Sequence, residues 1–185
     1  MNIGIIGSGP RAEALGRLLS AKHQVTFSSP RTADGARRLA EATGNGAAAS
    51  HPYEQAMHSD VLILTEWADA DAYFASGGPL KELLVVDATD RTSAPNAALT
   101  ATEQLARKLD SHRVAKAFNA VEPGRLASDA RLNAAMPYCG NADRDKRLVA
   151  ALIADAGFRP VDAGHLADGR GLEPGGRYRT APRAA

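Results

Sequence analysis

Ile3-Gly4-Ile5-Ile6-Gly7-Ser8-Gly9-Pro10-Arg11-Ala12 is the stretch on which the reading of this chain turns. Four residues of strand character run into a turn of the form G-x-G-x-x-A, and a helical pattern follows at once. Gly7 suits the tight turn, Gly9 leaves the backbone open to close approach, and Ala12 is small enough for a helix to pack tightly on a strand. Pro10 has no N–H to leave unsatisfied in a first helical turn. A helix starting here aims free N–H groups and the positive end of its dipole at the turn. The residues from Gly7 through Ser8, Gly9, Pro10 and Arg11 to Ala12 are therefore the candidate contacts to the pyrophosphate of a dinucleotide. The bland alternative is a glycine-rich turn with no ligand, and the strand–turn–helix context weighs against it.

Downstream, short apolar runs alternate with helical stretches, as in repeated βα units on a parallel sheet. After the first strand, Ile3 to Ile6, a helix is expected from Arg11 to Ala21, then a strand from Gln24 to Ser28. A second helix runs from Thr32 to Ala42 and stops at Gly44-Asn45-Gly46. Short strands are expected at 47–49, 61–64, 83–87 and 113–117, with a helix over 97–109. Strands at 136–139 and 159–161 flank a helix over 144–156. The fold class is thus α/β: a Rossmann-type, doubly wound, mostly parallel sheet with a small C-terminal αβ extension. Residues 1–120 read as the dinucleotide-binding domain. Residues 121–163 read as a small portion completing the sheet or a second site. From Gly164 the chain is rich in Gly, Arg and Pro, so 164–185 reads as a tail with at most a short docked segment.

Bulk properties narrow the function classes. The chain has 185 residues, enough for one sizeable core, and 44% are apolar and 23% charged. A formal net charge of +1 provides no global field to recruit nucleic acid or a membrane surface. No apolar run approaches the roughly 20 residues that span a bilayer, and the expectation is a cytoplasmic protein. Cys139 is the single cysteine, which excludes an internal disulfide and a cysteine-based metal site; it reads as a buried core residue.

The end of the second strand bears on which dinucleotide binds. An acidic residue there usually holds the ribose 2′-OH of NAD. Here the segment reads Phe27-Ser28-Ser29-Pro30-Arg31 and has no carboxylate. Ser28, Ser29 and Arg31 suit a 2′-phosphate, because a guanidinium can bind it through two charge-assisted bonds. NADP(H) is the expected cofactor. The alternative is that Ser29 and Arg31 only cap the next helix.

Several segments together resemble the NADP-dependent reductases of the deazaflavin coenzyme F-420, a fold shared with the cytosolic domain of ferric-reducing membrane proteins. The resemblance covers Met1 to about Glu173. It rests on the turn at Gly7, Ser29-Pro30-Arg31, Leu64-Thr65-Glu66-Trp67, Val86-Asp87-Ala88-Thr89-Asp90, Lys116-Ala117-Phe118-Asn119 and Asp162-Ala163-Gly164. It implies direct hydride transfer between NADPH and a deazaflavin, or a flavin, stacked against it. Such a reaction needs no nucleophile, and no catalytic residue is assigned. Thr65 and Trp67 would border the cofactor ribose and nicotinamide, and Ala88, Thr89, Ala117, Phe118 and Asn119 would line the ring site. The resemblance also implies a homodimer. Glu66 stands where such proteins commonly have proline, and Asp90-Arg91 where they commonly have Asn-Pro.

Other residues invite functional readings with simpler alternatives. The five histidines show no metal spacing, although His165 lies near the expected second-substrate site. Lys116 reads either as a catalytic lysine or as a strand-end charge orienting a loop, and the latter is favoured. Two further functions remain open: reduction of a small carbonyl or imine, and a regulatory NADP-binding module without turnover.

Overall fold

Alternation within the short apolar runs divides the core in two. Ile3, Ile5, Val61, Ile63, Leu84 and Val86 face one side, while Ile6, Leu62, Leu64 and Val85 face the other, as the period of two along a strand requires. The computed structural model describes residues 1–29, 33–51, 54–55, 58–67 and 83–179. Among these, the strands are β1 (Asn2–Ile6), β2 (Gln24–Ser28), β3 (Ala48–Ala49), β4 (Val61–Leu64), β5 (Leu84–Asp87), β6 (Val114–Lys116), β7 (Ala135–Gly140) and β8 (Arg159–Asp162). They form one eight-stranded sheet in the order β3-β2-β1-β4-β5-β6-β7-β8. The first six run parallel; β7 is antiparallel to β6, and β8 is parallel to β7. This is the expected doubly wound α/β sheet, mostly parallel and buried on both faces.

Helices among the described residues include α1 (Pro10–Leu19), α2 (Ala33–Thr43), α3 (Ala101–Leu109), α4 (Leu126–Arg131) and α5 (Asp143–Asp155). Leu15 and Leu19 of α1, Leu39 of α2 and Val149, Leu152 and Ile153 of α5 belong to the first core layer. Leu105 and Leu109 of α3 belong to the second. The helix expected over 97–109 starts later, because Thr100 and Glu103 form a capping box. That T-x-x-E signature is visible in the sequence and satisfies two otherwise orphaned N–H groups. α4 and the 3-10 turn Pro123–Arg125 before it carry too weak a periodicity to be foreseen.

The stretch after Gly164 departs from expectation. Leu166–Leu172 forms a 3-10 segment, and Leu166 and Leu172 are buried in the second core layer. Glu173 is also buried. Its carboxylate accepts hydrogen bonds from the Ser93 N–H at 2.9 Å, the Ser93 hydroxyl at 2.8 Å and the Ala101 N–H at 2.9 Å. Arg170 donates to Ser93 Oγ at 2.8 Å. A Gly- and Arg-rich composition thus conceals a segment docked as far as Arg179, held mainly by charge-assisted bonds. Residues 180–185, the end of the expected tail, lie outside the described residues.

Candidate active site at the switch point

Strand order reverses between β1 and β4, and open α/β sheets bind ligands at the strand C-termini beside such a reversal. The Gly7–Ala12 turn lies there. Gly7 has φ of 130°, a conformation that favours glycine, and its N–H donates to Ser28 O at 2.9 Å. Gly9 is the N-cap of α1 and contributes no side-chain cap; Pro10 opens the helix. Gly9 thus supplies no cap of its own to the backbone donors of the first turn, which lie at the switch point where a pyrophosphate would be held. Ala12 is fully buried against the sheet, in the packing role expected of it.

A cleft of about 580 Å³ opens beside the turn, lined by Thr65, Glu66, Trp67, Thr89, Asp90, Arg91 and Thr92. Its walls are the loops that leave β4 and β5. The first is fixed by Thr65, whose N–H and hydroxyl both donate to Ile6 O, at 3.0 and 2.9 Å. The Arg91 guanidinium stacks 3.9 Å from the centroid of the Trp67 ring, a cation–π contact at the mouth of the cleft. Of the residues expected to line a ligand, Thr65, Trp67 and Thr89 line the cleft. Glu66, Asp90, Arg91 and Thr92 complete the lining. The first three of these were visible in the sequence only as departures from the family pattern.

Other expected site residues occupy different places. Arg11 is 5% exposed, and its side chain turns into the fold. Its guanidinium donates to Phe118 O at 2.6 Å, to Val121 O at 2.9 Å and to Asp90 Oδ2 at 2.8 Å. Ser28 is fully buried, and its hydroxyl donates to Gln55 Oε1, so it is committed to the interior. Ser29 is buried as well. Arg31 lies outside the described residues. Ala88, Ala117 and Phe118 are part of the first core layer and do not open onto the cleft. Phe118 adopts φ of 63°, and its carbonyl receives Arg11. A left-handed conformation in a large side chain is costly, and here it accompanies a buried charged bond.

Asn119 was expected to line the ring site, but its amide donor is engaged by Leu172 O at 2.6 Å. The side chain is fully buried, and among the described residues Oδ1 has no hydrogen-bond partner. What Asn119 can still offer is an acceptor, the complement of an N–H donor such as a carboxamide.

Lys116 and Asp87 are both fully buried, 3.1 Å apart. Lys116 also donates to Thr89 O at 3.2 Å. Burial pushes the Asp87 carboxyl upward, but Lys116 and hydrogen bonds from Thr102 and Thr89 outweigh this and hold it below its ordinary value. The pair ties the ends of β5 and β6 together, in keeping with the loop-orienting reading, and leaves Lys116 itself unexposed. Cys139 is a buried core thiol, and burial pushes its pKa up to about 12. His165 is exposed and opens the 3-10 segment through a capping box with Asp168.

One family match covers the turn and almost all of the cleft. Residues 2–91 match the family described as "NADP oxidoreductase coenzyme F420-dependent". The matched stretch holds β1 to β5 and every residue lining the cleft except Thr92. Solved structures share the fold over most of the chain. A hypothetical protein from Sinorhizobium meliloti superposes with a TM-score of 0.78 at 24% identity, covering 95% of this chain and 91% of that one. A protein put forward as an F420-dependent NADP reductase from Arthrobacter sp. FB24 gives 0.77 at 18% identity, covering 93% and 88%. A reductive aminase from Aspergillus terreus, solved with NADPH4, cyclohexanone and allyl amine, gives 0.70 at 20% identity, covering 91% of this chain but 56% of that one. At these identities the likeness establishes a shared architecture. No helix among the described residues is long and apolar enough to cross a membrane.

Proposed function

We propose that the chain is an NADPH-dependent reductase that delivers a hydride to a deazaflavin such as coenzyme F-420, or to a flavin. The observation that carries this reading is the family match over residues 2–91, which spans the uncapped α1 turn and almost all of the adjoining cleft. When bound, the nicotinamide supplies the hydride, and the protein contributes placement. The N-terminus of α1 would hold the pyrophosphate, and the Thr65–Trp67 loop would border the nucleoside end. Ser29 and Arg31 would select the 2′-phosphate. Asn119 Oδ1, buried and without a hydrogen-bond partner among the described residues, would be the acceptor for the nicotinamide carboxamide. Asp90, which would repel an anionic acceptor, is neutralised by Arg11 at 2.8 Å and Arg179 at 2.5 Å.

The test uses stereospecifically deuterated NADPH mixed separately with the oxidised deazaflavin and with flavin mononucleotide. Deuterium on the acceptor ring is the expected outcome. Reduction of a small cyclic imine, with no transfer to either tricyclic acceptor, would favour the reading suggested by the fold shared with the reductive aminase. NADPH binding without transfer to any acceptor would favour a regulatory module. We further infer that the working form is a homodimer, for which light scattering at assay concentration is the check.

A further inference from the structure

Glu66 projects into the phosphate turn. A Cβ built on Gly9 would overlap Glu66 Oε1, so a carboxylate oxygen sits against the one position that the glycine keeps open. Gly9 is the N-cap of α1, where the helix dipole favours a negative group. The same physics favours a pyrophosphate there. Two anions are thus suited to one place.

We propose that Glu66 is an intramolecular competitor of the dinucleotide, its carboxylate standing at the pyrophosphate position until the cofactor displaces it. The inference rests on the dinucleotide reading of the turn and adds a regulating residue to it. The backbone at this point is rigid, because Thr65 is held twice by Ile6 O. The Glu66 side chain is only half-buried and has three rotatable bonds, so it can swing aside without moving the loop. Asp90, the other carboxylate lining the cleft, is clamped between Arg11 and Arg179. Glu66 is the carboxylate that meets the turn at Gly9. Its consequence is a raised NADPH dissociation constant and a free chain stabilised by its own carboxylate.

Two variants, E66Q and E66A, test this by NADPH fluorescence titration and by thermal melting with and without NADPH. Both variants are expected to bind NADPH about fivefold more tightly, the scale of one carboxylate at a helix terminus. Both are expected to melt lower than wild type without ligand and to gain more on adding NADPH. Unchanged dissociation constants in both variants would overturn the proposal. Weaker binding would also overturn it, and would make Glu66 a ligand contact. If neither wild type nor variants bound NADPH, the dinucleotide reading itself would fall, and the proposal with it. Unchanged binding with normal NADPH affinity in wild type leaves that reading intact, so the two failures are distinguishable.

Discussion

Arg11 Nη2 lies 2.8 Å from Asp90 Oδ2, joining the phosphate turn to the loop after β5 across 79 residues of sequence. Arg179 approaches the other oxygen of the same carboxylate at 2.5 Å and reaches Glu122 at 2.8 Å. Three distant segments therefore meet at Asp90. The two members of the first pair are not equivalent: the Arg11 side chain is 5% exposed and that of Asp90 is 44% exposed.

That asymmetry predicts unequal costs. Arg11→Ala removes the donor to two backbone carbonyls, Phe118 O and Val121 O. Leaving buried acceptors without partners is expensive, so a loss of about 3 kcal/mol is expected. Asp90→Asn weakens a solvent-screened ion pair and keeps an acceptor, for a loss of about 1 kcal/mol or less. Urea denaturation with unchanged m-values checks the ranking. Equal losses would mean that the ion pair, not the carbonyl bonds, holds Arg11.

The buried Asp87–Lys116 pair predicts a double-variant rescue and a pH signature. Lys116→Met leaves a carboxylate buried without its cation, and about 3–5 kcal/mol should be lost. Combining it with Asp87→Asn should recover part of that loss. Asp87 has a folded pKa below its unfolded value of 3.8. Its stabilisation is therefore complete above about pH 4 and is lost as pH falls through the folded pKa, where the unfolded chain binds the extra proton. Between pH 5 and 2, the stability of the double variant should fall less steeply than that of wild type. Parallel curves would remove Asp87 as a source of acid lability.

Cofactor preference separates Ser28 from Arg31. NADPH should bind at least about tenfold more tightly than NADH, roughly 1.4 kcal/mol, within reach of one charge-assisted phosphate contact. Arg31→Ala should remove most of that difference. Ser28→Ala should leave it unchanged while lowering stability, because the Ser28 hydroxyl serves Gln55. Titrations of nicotinamide fluorescence with both nucleotides decide; a Ser28→Ala chain that lost its NADPH preference would contradict the interior assignment.

Gly9→Val should leave a folded domain that no longer binds dinucleotide. The added Cβ collides first with Glu66 Oε1, a flexible side-chain end that can move away. The backbone at Gly9, with φ of −89° and ψ of −179°, is open to any residue. The branched side chain would then fill the place of close approach. Normal NADPH binding by calorimetry would put the ligand elsewhere.

Local pattern was enough for most of the architecture. The runs around Ile3–Ile6, Gln24–Ser28 and Val61–Leu64 carry their own strand signal, and β2 and β4 occupy the expected residues. The turn at Gly7–Ala12 is equally legible, because its requirements are those of neighbouring residues: positive φ at Gly7, openness at Gly9, and a proline in the first helical turn. A missing carboxylate after Phe27 is likewise a local fact. These features were available from the sequence because backbone conformation and short-range spacing set them.

The partners of the polar residues were decided only by the tertiary structure. Nothing near Arg11 in sequence says that its guanidinium turns inward to Phe118 and Asp90. Ser28 gives no sign of Gln55, nor Asn119 of Leu172. The segment 166–179 reads as a tail by composition, yet Glu173 and Arg170 fasten it to the Ser93–Ala101 region. A charged side chain has no preferred address of its own. Its place depends on which backbone groups and opposite charges the fold brings within about 3 Å, and those lie dozens of residues away along the chain.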